Sequence, residues 1–335
     1  MRFPGKCADI VYDYSKQVLE EMNRFVTAGL TLVMCAPAFP WGCEAHRTIA
    51  MIALAELSPN ARSMSSRLLE NATGNAGLHR FCAPSGLVPF ADMSTWADDI
   101  REKRRETAPW HYIDIPLGTA RNMMYEACPS ATGCITSVIR GQLDVLRSSV
   151  ASNAQKTEAL LFVIHLIGDL HQPLHAATNN DRGGNCLPVT FFDQKPAESR
   201  SGENFHPNLH AVWDTDLVER IAKSRGPAAF ADALSLEFAA ESDEWKKQRI
   251  NLDDWAWESH ELAVDPAYSA LPRKVPVEAP RPVASCADDN HIGERMSQLH
   301  EKIDSRYLRE VSPAIRRQLA RAGTRLAMVL NEIWP

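Results

Sequence analysis

The sequence predicts a mainly α-helical chain folded as one large domain, and three observations predict it. No linker or low-complexity tract divides the 335 residues, and a chain of that length can bury a sizeable core. Apolar residues recur at helical spacing in segment after segment, most densely from Leu160 to Leu170. Strand signals are confined to one short run, Pro188 to Phe192, which reads as a strand in a hairpin. With 45% hydrophobic and 23% charged residues, the composition is that of an ordinary soluble globular protein. The net charge of -6 argues against a basic groove that grips nucleic acid by charge alone. If the chain handles phosphates, bound metal must supply the positive charge.

Residues 1 to 40 read as an N-terminal extension and signal peptide. Met22-Asn23-Arg24 is followed by the apolar run Phe25 to Met34 and then by Cys35-Ala36-Pro37-Ala38-Phe39-Pro40. That run is too short to span a bilayer and carries the Ala-x-Ala ending of a secretory signal. Asp9, Asp13, Glu20 and Glu21 do not fit such a peptide, so Met22 is the expected start. Ala36-Pro37-Ala38 predicts a cut before Phe39, and later loss of Phe39-Pro40 would leave Trp41 first. A lipoprotein site at Cys35 would conflict with that terminus. Setting aside Cys7 and Cys35 leaves six cysteines, an even set in an exported chain. Cys128 and Cys134 are the best pair, because Pro129 and Gly133 let the short loop turn back. Cys43 with Cys82 and Cys186 with Cys286 follow by elimination alone. The expected location is secreted or periplasmic.

Residues 41 to 335 form the expected domain. If Trp41 is first, its amine and carbonyl are available to a metal, and His46 lies about a turn and a half further on. Arg47 to Leu57 has helical apolar spacing. Asp98 and His111 each stand near a large aromatic, Trp96 and Trp110, where a polar group is shielded from water and needs a partner. The charge run Arg101 to Glu106 reads as solvated surface.

Ile135 to Leu146 reads as a helix, and Glu158 to Leu170 as the central one. His165 and Asp169 are four apart and share a helical face, and Pro173 ends the helix before His175. A lone pair of this kind is ordinarily a core histidine with a capping aspartate. Here Asn208-Leu209-His210-Ala211-Val212-Trp213-Asp214 repeats the spacing on a separate helix. Two such pairs point to metal, and imidazole with carboxylate suits zinc.

Beyond the turn Asn180 to Asn185, residues 216 to 224, 228 to 240 and 254 to 263 read as helices. A Pro-rich connection from Leu271 to Val283 leads into Ser297 to Arg309. Pro313 then opens a final amphipathic helix, with Ile315, Leu319, Ala322, Leu326, Val329 and Leu330 on its apolar face and its arginines toward water. His79, His206, His260, His291 and His300 lack ligand spacing. There is no glycine-rich phosphate loop and no Ser/His nucleophile motif.

Trp41, His46, Asp98, His111, His165, Asp169, His175, His210 and Asp214 together exceed what one tetrahedral zinc can use, which points to a cluster. The segments that hold them are the Trp-Gly start with His46, Thr95-Trp96-Ala97-Asp98, Trp110-His111-Tyr112-Ile113-Asp114, His165 through His175, Gly183-Gly184-Asn185 and Asn208 through Asp214. This pattern resembles the zinc-dependent single-strand nuclease and 3'-nucleotidase family, the secreted class I nucleases, which share a superfamily with zinc-dependent phospholipase C. The match runs from Trp41 to the C-terminus.

The resemblance implies a mainly α-helical single domain with a short β-hairpin and a cleft for three Zn2+. Asp98, His111, His165 and Asp169 would hold one zinc, and His175, His210 and Asp214 a second. Trp41 and His46 would hold the third together with Asp169, which bridges. Asp98 and Asp169 are the candidate catalytic residues. Family chemistry would have a metal-bridging hydroxide attack phosphorus and cut the 3' phosphoester bond, releasing 5'-nucleotides. Tyr112 would stack a base, Asp114 would bond a base edge, and Asn185 would make a polar contact in the site.

Stacking requires an unpaired base, which would explain a preference for single strands. Three Zn2+ would bring the apo charge of -6 to zero, with the positive charge concentrated in the cleft. Leu117 stands where some members carry a lysine beyond the base-binding aspartate, which leaves phosphate contacts on that side open. The rival readings are a zinc phospholipase C, expected to use a glutamate where Asp214 stands, and a non-catalytic secreted zinc-binding protein. The expected partners are single-stranded nucleic acid and 3'-nucleotides, with no membrane and no protein partner implied.

Overall fold

The computed structural model describes residues 41–70, 72, 81–198, 205–283, 285–286 and 301–335. The signal segment with Cys7 and Cys35, and His79, His291 and His300, lie outside the described residues. The helices are α1 (Cys43–Glu56), α2 (Pro59–Glu70), α3 (Pro89–Asp92), α4 (Trp96–Arg101), α5 (Ile135–Arg147), α6 (Asn153–Leu170), α7 (Leu209–Ala211), α8 (Leu217–Ala222), α9 (Pro227–Glu237), α10 (Ala239–Lys246), α11 (Leu252–Leu262) and α12 (Ser305–Ile333). The strands are β1 (Val189–Phe191), β2 (Ala197–Glu198), β3 (Phe205–His206) and β4 (Glu301–Ile303). The chain is therefore mainly α-helical, as the periodicity indicates.

Helix α6 is the axis of the molecule. Its residues from Ala159 to Leu170 are all buried, as expected for a helix that is apolar on every side. It packs against α1, α2, α5 and α12. It begins a turn earlier than the apolar run, because Ser152 and Gln155 form a capping box in which the Ser152 amide donates to Gln155 Oε1 (2.9 Å) and the Gln155 amide to Ser152 Oγ (3.3 Å). Trp96 and Trp110 pack edge-on against Phe162 of this helix, with ring centroids 5.3 and 5.1 Å away.

Several local expectations give way to tertiary contacts. The strand at Val189–Phe191 exists, but it pairs in parallel with β4 rather than within a hairpin. Phe192, at φ 54, turns the chain sharply after Phe191 and leaves the strand edge for Glu301–Ile303. The antiparallel pair is formed instead by β2 and β3. Helix α12 starts at Ser305, where Asp304 Oδ1 accepts from the Arg306 amide at 2.8 Å. Pro313 thus lies inside that helix, not at its start.

Nor do all arginines of α12 face water. Arg325 is 2% exposed and makes two hydrogen bonds to Glu258, Nη1 to Oε2 at 2.6 Å and Nη2 to Oε1 at 3.1 Å. Its guanidinium lies 4.7 Å from the Trp255 ring centroid.

Disulfides join Cys43 to Cys82, Cys128 to Cys134 and Cys186 to Cys286, the pairs expected. Among the described residues no helix is long and apolar enough to cross a membrane.

The Arg325–Glu258 pair gives a stability test. Glu258→Gln leaves a buried guanidinium without its counter-charge, a loss of about 1–3 kcal/mol once the partial exposure of Glu258 is discounted. Thermal unfolding should show a midpoint several degrees lower, whereas Arg325→Met, which removes the charge along with the pairing, should cost less.

Candidate metal centre

The C-terminal end of α6 carries the first side chains of the site. His165 and Asp169 stand one turn apart, with His165 Nε2 3.1 Å from Asp169 Oδ2. The His165 Nδ1–H donates to the Ser94 carbonyl (2.8 Å), which turns Nε2 toward the cluster. His111, at the end of a 3-10 turn over Arg105–His111, places Nδ1 2.9 Å from Asp169 Oδ2 and 3.2 Å from His165 Nε2. Asp98 of α4 lies 3.8 Å from His111 and 3.7 Å from His165. From the other side, His46 of α1 brings Nε2 to 3.2 Å from Asp169 Oδ1. Asp169 therefore gives one oxygen to each side.

Helix α1 reaches that position because residue 168 is glycine. A Cβ there would stand 2.9 Å from His46 Nδ1, a distance at which one of the two must move. Trp41 is buried and donates its indole N–H to the Gly168 carbonyl (2.8 Å), pinning the start of the domain to the same turn.

The second group forms where the chain leaves α6. His175 sits in the 3-10 turn Pro173–Ala176, and its Nδ1–H donates to the His111 carbonyl (2.8 Å). His210 of α7 donates Nδ1–H to the Gly183 carbonyl (2.7 Å). Their two Nε2 atoms face each other at 3.1 Å. Asp214 brings Oδ2 to 3.3 Å from His210 and Oδ1 to 3.7 Å from His175. His210 and Asp214 keep the four-residue spacing through a π-turn over Val212–Asp216 rather than a regular α-helix. Gly183 adopts φ +62, and a Cβ there would lie 2.3 Å from the Leu174 carbonyl.

These groups fit a metal. Three sets, His46 with His165 and Asp169, Asp98 with His111 and His165, and His175 with His210 and Asp214, each hold ligand atoms within 4.8 Å of one another, all buried. Two imidazole lone pairs at 3.1 Å repel unless a cation lies between or beside them. Both nitrogens of His46, Asp98 Oδ1, His111 Nε2, Asp169 Oδ1 and Asp214 Oδ2 are buried without a hydrogen-bond partner among the described residues, whereas buried polar atoms ordinarily have one.

Electrostatics carry the same mark. Burial pushes the carboxyls of Asp98 and Asp214 up to about 7, against the pull of His165 and His210 respectively. Burial drops His46 to about 4 and His111 to about 3. At His165 the charges of Asp169 and Asp98 overcome burial and hold the ring up at about 9. Asp169 stays well below the usual carboxylate range, because His165, His175 and His111 outweigh its burial.

The remaining sequence candidates lie outside the three groups. Tyr112 is 37% exposed. Asp114 keeps solvent contact at a cavity of about 670 Å³; crowding by the walls and then the Asp181 charge push its carboxyl up to about 6, against Arg182. Asn185 turns its Nδ2–H to the Arg182 carbonyl (2.8 Å) and braces its own loop. His171 and His260 point away from the cluster, to the Ile167 and Ala176 carbonyls.

Sequence reasoning missed three contributors. Gln172 Nε2 donates to Asp214 Oδ1 at 2.5 Å. The Ser94 carbonyl fixes the His165 ring. Arg101, read as part of a solvated run, stands 3.8 Å from Asp98 Oδ1; its place three residues after Asp98 on a helix was the available signal.

The sequence also matches known proteins. A family model, S1/P1 Nuclease, matches residues 41–335. Endonuclease 2 of Arabidopsis thaliana is 27% identical over 315 residues, covering 88% of this chain and 90% of its own. Nuclease P1 of Penicillium citrinum is 30% identical over 199 residues, 58% of this chain and 63% of its own. Nuclease S1 of Aspergillus oryzae is 29% identical over 196 residues, 57% and 59% respectively.

Metal uptake should displace protons in a pH-dependent way. Asp98 and Asp214, both raised to about 7, are largely protonated at pH 6 and largely ionised at pH 8, and a metal binds only the ionised form. Calorimetry of zinc uptake by stripped protein, in buffers of different ionisation heat, should give more protons released per chain at pH 6 than at pH 8. A further expectation concerns Gly183→Ala, which forces the turn away from Leu174 and from His210. It should lower the metal content and reduce stability by about 1–3 kcal/mol.

Proposed function

The chain belongs to the S1/P1 nuclease family, and from that premise we propose that it is a secreted or periplasmic zinc-dependent phosphodiesterase. It hydrolyses single-stranded RNA and DNA and 3'-nucleotides at the 3' P–O bond, releasing 5'-nucleotides. The observation that carries this reading is the convergence of three buried His/Asp groups, several of whose polar atoms have no hydrogen-bond partner among the described residues, with the exposed Tyr112 next in the chain to His111. Residues 41–335 are the catalytic domain, and residues 1–40 are an extension removed on export. The three disulfides support an oxidising destination.

A donor set of imidazoles and carboxylates, without thiolates, suits zinc. Asp98, His111, His165 and Asp169 hold the first ion, His175, His210 and Asp214 the second, and His46 with Asp169 and the terminal amine of Trp41 the third. Bound zinc supplies the charge that holds a phosphate and brings the acidity of a water toward neutrality.

The side chains do the rest. Asp98, whose Oδ1 faces His111 and His165, would take up a proton from the attacking water through its other carboxylate oxygen, and Arg101 beside it favours its ionised form. Gln172 fixes the rotamer of Asp214, and the Ser94, His111 and Gly183 carbonyls fix the tautomers of His165, His175 and His210, so each presents Nε2 as a ligand. Tyr112 offers its face to an unpaired base, which a duplex cannot present. Asp114 accepts a hydrogen bond from the base edge when it is ionised.

Three outcomes check this reading. His165→Ala should lower kcat/KM on single-stranded DNA by more than about a hundredfold, beyond the loss typical of a residue that merely supports a ligand; wild-type turnover would refute the assignment. With Asp114 titrating at about 6, KM for single-stranded substrates should rise as pH falls through 6, and Asp114→Asn should flatten that rise. Phosphate release from 3'-AMP should exceed headgroup release from phosphatidylcholine, and turnover of the lipid alone would sink the nuclease in favour of a phospholipase.

A further inference from the structure

Between Asp114 and the Pro-rich segment that ends at Val283 lies the cavity of about 670 Å³, within the range of ligand sites for small molecules. Its lining includes Asp114, Met123, Asn180, Arg182, Arg281 and Pro282. Leu117, on the Asp114 segment, offers no charge. Two arginines, Arg182 and Arg281, and two carboxylates, Asp114 and Glu126, line the cavity, and Arg182 is the arginine on the turn that carries Gly183.

The backbone at that residue is held in an unfavourable state. Arg182 has φ 55 in a turn where Asn180, Gly183 and Gly184 also lie at positive φ. A non-glycine residue keeps such a conformation only where its surroundings impose it. Here Asp181 Oδ2 accepts from the Tyr268 hydroxyl (2.8 Å) and the Asp181 carbonyl from the Cys186 amide (2.9 Å). The Arg182 carbonyl accepts from Asn185 Nδ2, and Asn180 bonds the Ala279 carbonyl (2.8 Å) and the Arg281 amide (3.0 Å). The next residue is Gly183, whose carbonyl orients His210, so the turn ties Arg182 rigidly to the metal centre.

Arg182 and Asp114 line the same cavity, and the Arg182 charge favours the ionised form of Asp114. Among the described residues no carboxylate stands within ion-pair distance of it. In a chain of net charge -6, that leaves it available to an anion.

We propose that Arg182 is the cation of a second phosphate subsite. It holds the 5'-phosphate of the nucleotide whose base lies at Tyr112 and Asp114 and whose 3'-phosphate lies at the metal centre. The inference rests on the nuclease reading and deepens it: Arg182 makes the site discriminate a strand, or any nucleotide phosphorylated at both ends, from a simple 3'-nucleotide. Asp114 and Arg182 line one cavity, so a nucleotide whose base is held at Asp114 lies within reach of Arg182. An arginine offers that phosphate paired N–H donors in a fixed plane.

The test compares adenosine 3',5'-bisphosphate with 3'-AMP, which lacks the 5'-phosphate, on the zinc-loaded wild type, Arg182→Gln and Arg182→Lys. Both substitutions keep the same backbone demand. In Arg182→Gln the ratio of kcat/KM for the bisphosphate to that for 3'-AMP should fall about tenfold, the size of one charge-assisted contact, through KM rather than kcat. Arg182→Lys should recover much of the ratio, and zinc content should match across the three proteins. An equal loss on both substrates, or a lysine variant as deficient as the glutamine one, would overturn the subsite while leaving the nuclease in place. A zinc-loaded wild type inert on both substrates would overturn the nuclease reading and the subsite with it.

Discussion

A carboxylate with no solvent exposure and imidazoles on both of its oxygens is the constraint to which the rest of the molecule conforms. Asp169 Oδ2 meets His111 and His165, and Oδ1 meets His46. Such a group is stable only with positive charge close by. Imidazolium can supply some of it, and His165 is held toward that form. The excess of lone pairs over protons, clearest between the facing nitrogens of His175 and His210, goes further and calls for a cation.

The architecture follows from delivering those ligands to one end of a buried helix. An apolar α6 can be surrounded on every side, so α1, α4 and the turns after α6 converge on its C-terminal end. Gly168 permits α1 to approach, and Trp41 anchors the start of the domain to the same peptide. Behind the cluster, Gln318 donates to the His171 carbonyl (3.0 Å) and Arg325 Nη1 lies 3.1 Å from His171 Nε2, so α12 braces the segment that links Asp169 to His175. The exposed residues Tyr112, Asp114 and Arg182 sit on loops carried by this frame.

Much of the cluster was legible because residues that converge on one helix face obey spacing. His165 with Asp169 and His210 with Asp214 declare themselves by residue type at four-residue intervals, and the second pair keeps that interval even though the backbone takes a π-turn. The Cys128–Cys134 loop is likewise a local matter. What stayed hidden depends on partners distant in sequence. The Ser94 carbonyl has no side-chain signature, and Gln172 is marked only by the aspartate it happens to reach. Arg325 looked like a solvent-facing residue on an amphipathic helix, because nothing local announces that Glu258 and Trp255 will cover it. β1 showed its strand character but not its parallel partner β4, whose pairing no turn residue encodes. Arg182 lay within a turn read only as a turn, since its importance comes from the wall it faces.

The central claim is that these side chains, completed by the amine of Trp41, hold three zinc ions. The native mass of the exported protein tests it most directly, because one spectrum reports both where the chain begins and how many ions it keeps. A chain starting at Trp41 with three zincs is the expected result. A chain starting at Phe39 or earlier with two would contradict it, and the third site and the bridging role of Asp169 would have to be given up.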